Sequence, residues 1–302
     1  MKLDFELSII IPSFNTKKLL RNCLKSIFEQ TQKIKFKVIV IDNNSEDGSI
    51  KMIKEKFPQV KLICNERNFG FARANNQGLT HAQGDCVLFL NSDTLILDGA
   101  IDKAVEFMKK DKRVDILGCQ LLNQNKTIQH SGGFFPKLTR VFSWMVFIDE
   151  LPFLDQIIKP YQQSNPKFYQ KTKQLDWVTG GFMLVKKEVI NRIKGFDERF
   201  FMYAEEVDFC FRAKKLGFNV WFYPGAKIIH FKGKSSKNGF QKAVLGEYQG
   251  LKKFYQKHQS VPKLFCLRLL LKMGALLRIL IFGILSGDRQ KRNIYEKAFR
   301  VA

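Results

Sequence analysis

Short runs of apolar residues, each stopped by a polar cluster and followed by a helix-period segment, fill the first third of this 302-residue chain. Leu7-Ser8-Ile9-Ile10-Ile11 ends at Pro12, Val38 to Ile41 ends at Asp42-Asn43-Asn44, Val60 to Cys64 ends at Asn65, and Cys86 to Leu90 ends at Asn91-Ser92-Asp93. Between them, helix spacing is predicted from about Thr16 (Leu19, Leu20, Cys23, Leu24 and Ile27 on one stripe), over Ser49 to Phe57, and over Phe71 to His81. Strands this short and apolar, alternating with helices, predict an α/β fold whose parallel central sheet is covered on both faces. In such sheets ligands bind beyond the carboxyl ends of the strands. Those ends are Pro12–Asn15, Asp42–Asp47, Asn65–Asn68 and Asn91–Asp93, all polar.

Several site types lack their local signatures. No GxGxxG follows a strand, and GxxxxGK[ST], HExxH and GxSxG are absent. The six cysteines stand far apart without a CxxC pair, which argues against a disulfide scaffold or structural zinc and for a reducing compartment. Acids at Asp4 and Glu6 precede a first apolar run too short for a signal peptide, so export is not expected.

Asp93 closes the fourth strand. A lone carboxylate with amide and hydroxyl neighbours cannot cage a divalent ion, but it can share Mg²⁺ or Mn²⁺ with substrate phosphates; equally, Asn-Ser-Asp forms turns. Asp42 with Asn43 and Asn44 could bind a nucleobase or ribose, or simply stop a strand. Further on, Ala204 to Leu216 has helical spacing and ends at Gly217. Its first turn holds Glu205, Glu206 and Asp208, which suit a helix N-terminus, and Asp208 can pair with Arg212 four residues on. Adjacent acids also repel, which raises the proton affinity of one of them and could poise a general base. Trp177 to Phe182 joins an aromatic to the Gly180-Gly181 pair, where backbone can approach a ligand closely or merely turn. His230 ends the strand Ala226 to Ile229 and precedes Lys232-Gly233-Lys234-Ser235-Ser236, a loop suited to phosphate oxygens.

The formal net charge is +23, and from Lys227 onward 17 basic residues face three acids. That excess requires an anionic partner. In the same quarter, Leu264 to Leu285 is apolar except for Arg268, Lys272 and Arg278. Each cation would cost about 2.5–3.5 kcal/mol at a bilayer centre, so spanning is disfavoured. They fall at about 0°, 40° and 280° on a helical wheel, leaving a broad aliphatic face. The expectation is an interfacial helix, its cations near lipid phosphates, on an anionic membrane surface. The other reading is a helix packed on the core. Nucleic acid is not expected, because the basic residues interleave with aliphatics rather than stacking aromatics.

Taken in order, Ile10-Ile11-Pro12-Ser13-Phe14-Asn15, Val40 to Ser45 with Asp47-Gly48-Ser49, Asn68 to Asn76, Leu90-Asn91-Ser92-Asp93, Val178 to Gly181, Gly195-Phe196-Asp197-Glu198, the acidic helix and His230 resemble the inverting nucleotide-sugar glycosyltransferases of family 2. Within that family they resemble the bacterial rhamnosyltransferase-like branch, over roughly residues 7–235. The resemblance implies a GT-A-type fold, with a catalytic domain over residues 1–238 (nucleotide-binding half about 1–122, acceptor half about 123–238) and a basic helical tail over 239–302. It implies a nucleotide pocket lined by Pro12, Ser13, Asn15 and Asp42, with Asn68, Gly70, Arg73 and Ser92 near the nucleotide or diphosphate. Asp93 and His230 would hold Mg²⁺ or Mn²⁺. Trp177, Gly180, Gly181 and Tyr203 would meet the acceptor.

Glu206 stands where the family usually has the Asp of a Glu-Asp pair, so Glu206 or Glu205 would be the base, with Asp208 beside them. Asn91 replaces a first Asp and leaves one carboxylate for the metal. The implied reaction moves a hexose, of the deoxythymidine-diphosphate-rhamnose type, to a saccharide or lipid-linked acceptor. It would take place at the cytoplasmic face of the cell membrane, in cell-surface polysaccharide synthesis. A sugar-phosphate nucleotidyltransferase would need a Gly-rich basic loop after the first strand, which Pro12-Ser13-Phe14-Asn15 is not. A basic nucleic-acid-binding protein is the rival of another class. Phe134 to Asp176, aromatic and without clear period, is expected to form acceptor-side loops.

Overall fold

The computed structural model describes residues 5–151, 157–231 and 239–302. It opens with β1 (Leu7–Ser13), α1 (Lys17–Gln30), β2 (Phe36–Asp42), α2 (Ser49–Lys56), β3 (Lys61–Cys64), α3 (Phe71–Leu79) and β4 (Cys86–Leu90), the alternation expected. There follow β5 (Thr94–Ile96), α4 (Ala100–Lys110), β6 (Ile116–Leu122), β7 (Gly132–Gly133), α5 (Leu138–Met145), β8 (Lys173–Leu175), β9 (Trp177–Val178) and β10 (Phe182–Lys186). The chain ends with α6 (Lys187–Ile193), α7 (Glu205–Lys215), β11 (Val220–His230), α8 (Gly239–His258), α9 (Val261–Leu280) and α10 (Arg289–Val301).

Side chains alternate across a strand, so a run that is apolar throughout must feed two cores. Ile9, Ile11, Val38, Val40, Leu88 and Leu90 enter one, with Leu20, Leu24 and Ile27 of α1 and Ile101 and Val105 of α4. Ile10, Ile39, Ile41, Val87 and Phe89 enter the other, with Ala72 and Ala74 of α3 and Val207 and Phe209 of α7. The sheet order is β3-β2-β1-β4-β10-β6-β11-β5, with β8 against β11. It is parallel from β3 to β4 and mixed beyond, because β10 runs antiparallel to both β4 and β6. The strand order reverses at β1, between β2 and β4, so the crevice of a doubly wound sheet opens at the carboxyl ends of β1 and β4.

The C-terminal helices are present and are built into the core. Leu251, Phe254 and Tyr255 of α8, Leu267, Leu271 and Ala275 of α9 and Ala298 of α10 join the core that holds α7. The expected orientation of the α9 cations is corrected. Arg268 donates to the Ala302 carbonyl (3.1 Å), Lys272 lies over the Phe299 ring, and Arg278 is buried. Arg278 donates to the carbonyls of Trp144 (3.0 Å) and Met145 (2.7 Å) at the end of α5. A helix terminus leaves its last carbonyls without intrahelical partners, and a guanidinium satisfies them. The face left outside is aliphatic: Phe265, Leu269, Met273, Leu276 and Leu280, continued by Ile284 and Leu285 in a π-helical turn. Among the described residues, no helix is long and apolar enough to cross a membrane.

Candidate active site

Hydroxyl groups knit the floor of the crevice. Ser13 Oγ lies 3.0 Å from Thr16 Oγ1, which donates to Ser92 Oγ at 3.1 Å, so the ends of β1 and β4 are joined by small polar side chains. Pro12 ends the apolar run here and is partly exposed. Asp42, buried at the end of β2, accepts from the Ser45 N–H (2.7 Å) through Oδ1, while its Oδ2 has no partner. An unpaired buried carboxylate oxygen is costly unless a ligand donor meets it, which suits a nucleobase N–H or a ribose hydroxyl. Asn15 sits at φ 53°, donates its backbone N–H to Ser45 and accepts from the Glu46 N–H. It pins the β1 loop to the β2 loop.

On the opposite wall Asn68 accepts from the Gly70 N–H (2.9 Å). Gly70 has φ 83°, and a Cβ there would fall 2.5 Å from the Phe201 carbonyl. Phe71 donates its N–H to that same carbonyl (2.8 Å). Arg73 stacks over Phe69 and approaches Glu198 at 3.9 Å, half-exposed and able to reach a phosphate.

Asp93 and His230 meet because β5 and β11 pair, with Thr94 opposite His230. His230 Nε2 lies 3.3 Å from Asp93 Oδ1. The tautomer follows from Gln129, whose amide donates to the His230 carbonyl (2.6 Å) and so offers Oε1 to Nδ1 at 3.0 Å. Nδ1 donates to that oxygen, and Asn91 Nδ2 meets Nε2 at 3.2 Å. Asp93 Oδ1 and His230 Nε2 thus stand side by side, and the Gln129 contact is the kind of outer support that histidine ligands use. Among the described residues no third His, Cys, Asp or Glu completes a metal cage. A hard cation held by one carboxylate and one imidazole would draw its remaining ligands from diphosphate and water. The Lys232–Ser236 loop lies outside the described residues.

The glutamates stand at the first turn of α7, behind Tyr203 and Ala204, both in the left-handed region at φ 73° and 65°. Two consecutive non-glycine residues there are uncommon and strained. Glu205 is buried and Glu206 partly exposed, and each keeps an Oε2 without a partner. Burial pushes Glu206 up to about 7, assisted by the charge of Glu247 on α8 and opposed by the Gly180 N–H. Burial and the neighbouring Glu206 raise Glu205 well above the ordinary carboxylate range. Asn91 donates its N–H to the Gly181 carbonyl (3.2 Å), one residue from Gly180, which ties the end of β4 to the turn beside Glu206. The Tyr203 phenol, half-buried, is raised to about 12 by burial and then by Glu247, Glu205, Glu206 and Asp93, so it lies within electrostatic reach of the glutamates and of Asp93.

Two expectations are corrected. Asp208, grouped with the catalytic acids, is fully buried and bound by Arg212 Nε (2.8 Å), Lys257 Nζ (2.8 Å) and His258 Nε2 (2.7 Å). Through Lys257 and His258 it anchors the C-terminal end of α8. Trp177, expected to meet the acceptor, is in the core with its indole N–H spent on the Tyr161 (3.1 Å) and Phe134 carbonyls. Gln129, Tyr161 and Glu247 carried no motif that singled them out.

A doubly wound sheet with a polar floor at its switch point, an Asp-His pair and a glutamate pair on a helix N-terminus is the frame of a GT-A-type fold. The family model described as glycosyl transferase family 2 matches residues 8–192, and the chain belongs to that family. It is rhamnosyltransferase-like: it is 24% identical over 218 residues to the N-acetylglucosaminyl-diphospho-decaprenol L-rhamnosyltransferase of Mycobacterium tuberculosis, covering 66% of this chain and 67% of that one. It is also 24% identical over 244 residues to the rhamnosyltransferase WbbL of Escherichia coli, covering 78% and 87%. The mannosyltransferase PcManGT from Pyrobaculum calidifontis, solved with GDP-Man and Mn²⁺, shares the fold at 17% identity and a TM-score of 0.61, over 100% of this chain and 85% of that one.

Proposed function

We propose that the protein is an inverting, metal-assisted hexosyltransferase that takes rhamnose or a related sugar from a nucleoside-diphosphate donor to a lipid-linked saccharide. The observation that carries this is the 3.3 Å approach of Asp93 Oδ1 and His230 Nε2, linked through Asn91 and the Gly180-Gly181 turn to a glutamate raised to about 7. A divalent cation bound there supplies charge neutralisation to the departing diphosphate. Asp93 and His230 hold that end, Arg73 is within reach of a phosphate, and Asp42 Oδ2 awaits a nucleoside donor group. The acceptor hydroxyl attacks the anomeric carbon from the face opposite the diphosphate. As that C–O bond forms, the C–O bond to the diphosphate breaks and its electron pair leaves with the phosphate oxygen. Glu206 takes the hydroxyl proton. A base titrating near the working pH is the efficient choice, and Glu206 is more accessible than Glu205.

A lipid-linked acceptor fits the outer face of α9. Its exposed stripe from Phe265 to Leu285 would bury in the acyl boundary, each large side chain contributing up to about 1.5–3 kcal/mol. The surrounding basic quarter favours anionic lipid and opposes self-association of this face. The test is transfer from deoxythymidine-diphosphate-rhamnose to a polyprenyl-diphosphate-linked sugar, with the anomeric configuration of the product read by NMR. Inversion is expected, and retention contradicts the mechanism.

A further inference from the structure

The strained turn that presents the glutamates is held from outside the family-matched segment. Gly246 and Gly250, one turn apart on α8, lie directly against Tyr203: a Cβ at Gly246 would collide with the Tyr203 ring, and one at Gly250 would fall 2.6 Å from the Tyr203 carbonyl. Between them stands Glu247, whose Oε1 accepts from the buried Tyr161 hydroxyl at 2.5 Å. The Tyr161 hydroxyl feels Glu247, Glu206 and Glu205 together, and burial with these charges raises it well above its ordinary value. Three carboxylates and a phenol therefore lie within electrostatic reach of one another, contributed by α7, α8 and the segment before β8.

We propose that Glu247, fixed by Tyr161, is a positioning residue of the active site that acts through Glu206, and that α8 is thereby part of the catalytic centre. The proposal rests on the reading of Glu206 as the base. A helix that merely braced the turn would need its glycines and no acid. An acid placed here, with its charge stabilised by a phenol donor, makes deprotonation of Glu206 harder and its conjugate base stronger. Among the described residues, the groups facing Glu206 are Glu205 and Cys210 on its own helix, Tyr203 on the turn, Tyr161, and Glu247 from α8; the Gly180 N–H opposes them.

The test needs no substrate. Thermal unfolding of the full chain is followed between pH 5 and pH 9 for wild type, Glu247→Gln, Glu205→Gln/Glu206→Gln and the triple variant. In wild type the melting temperature falls as pH rises through about 7, where Glu206 ionises. Glu247→Gln should shrink that fall by roughly 2 °C or more, and the shrinkage should vanish when Glu205 and Glu206 are already Gln. Tyr161→Phe removes the hydroxyl that stabilises the Glu247 charge and should act in the same direction if Glu247→Gln does not fold. The same change in both backgrounds, or none in either, overturns the proposal. Failure of the base assignment would show separately, as unimpaired transfer by Glu206→Gln.

Discussion

Asp93 Oδ1 and His230 Nε2 lie 3.3 Å apart, and Gln129 Oε1 meets the other imidazole nitrogen at 3.0 Å. In the proposed reaction this pair holds the cation. Asp93→Ala should lower transfer by more than about 10³-fold, the scale of several kcal/mol of lost leaving-group stabilisation. Gln129→Leu should leave the fold intact and weaken Mn²⁺ binding about 10–100-fold, the range for losing a contact that orients a histidine ligand. Isothermal titration with Mn²⁺ and the nucleoside diphosphate checks both. Unchanged Mn²⁺ affinity in Gln129→Leu would show that the histidine orientation is set elsewhere.

Glu206→Gln should reduce turnover by about 10²–10⁴-fold with little change in donor affinity, because the carboxylate acts on the acceptor proton and not on the diphosphate. With the wild-type carboxyl at about 7, the activity of the free enzyme should rise on an acidic limb near that pH. Steady-state kinetics over pH 5.5–9 checks this. A limb near pH 4.5 would remove the poised base from the account.

Stability should oppose activity along the same axis. Glu205 and Glu206 bind protons more tightly in the folded state than in the unfolded chain, where a glutamate titrates near ~4.3. Their contribution to stability is complete below that value and is lost as pH rises, through about 7 for Glu206, with Glu205 shifted in the same direction. Glu205→Gln should therefore raise the melting temperature at pH 8 and do little at pH 4. Calorimetry at the two pH values checks the sign.

Gly70, just before α3 on the crevice wall, combines a positive φ with backbone contact. Gly70→Ala should cost about 1–3 kcal/mol from left-handed strain, with a further penalty from the Phe201 carbonyl 2.5 Å away. Urea unfolding measures the loss. Because Phe201 leads into the glutamate turn, donor and acceptor binding should weaken together.

The α9 stripe is tested on its outer face. Removing the helix would expose Leu267 and Leu271, which are core residues. Leu269→Glu with Leu276→Glu should keep the melting temperature and lower binding to phosphatidylglycerol vesicles by at least about tenfold. Unchanged sedimentation with vesicles would remove the membrane from the account.

The parallel half of the fold was legible because its strands are buried on both faces, and Ile9-Ile10-Ile11 or Val38 to Ile41 have no other stable use. The polar strand ends followed from the same rule, and Asp93 and His230 lie together across β5 and β11. Helix α5 was hidden within an aperiodic aromatic stretch, since Leu138 to Met145 is too short to display a period and is fixed by Arg278 from α9. The helical wheel of α9 grouped Arg268, Lys272 and Arg278 correctly but could not tell which side faced protein. That was decided by carbonyls 133 and 134 residues away. Asp208 read as a possible catalytic acid because Lys257 and His258, its partners along with Arg212, are distant in sequence. Glu247 was invisible for the same reason.

The most direct measurement is the thermal shift produced by nucleoside-diphosphate sugars with Mn²⁺ or Mg²⁺, in wild type and in Asp93→Ala. The account predicts that one donor raises the melting temperature of wild type only when the cation is present, and that Asp93→Ala loses this response. Equal stabilisation in EDTA, or in Asp93→Ala with the cation, would contradict it.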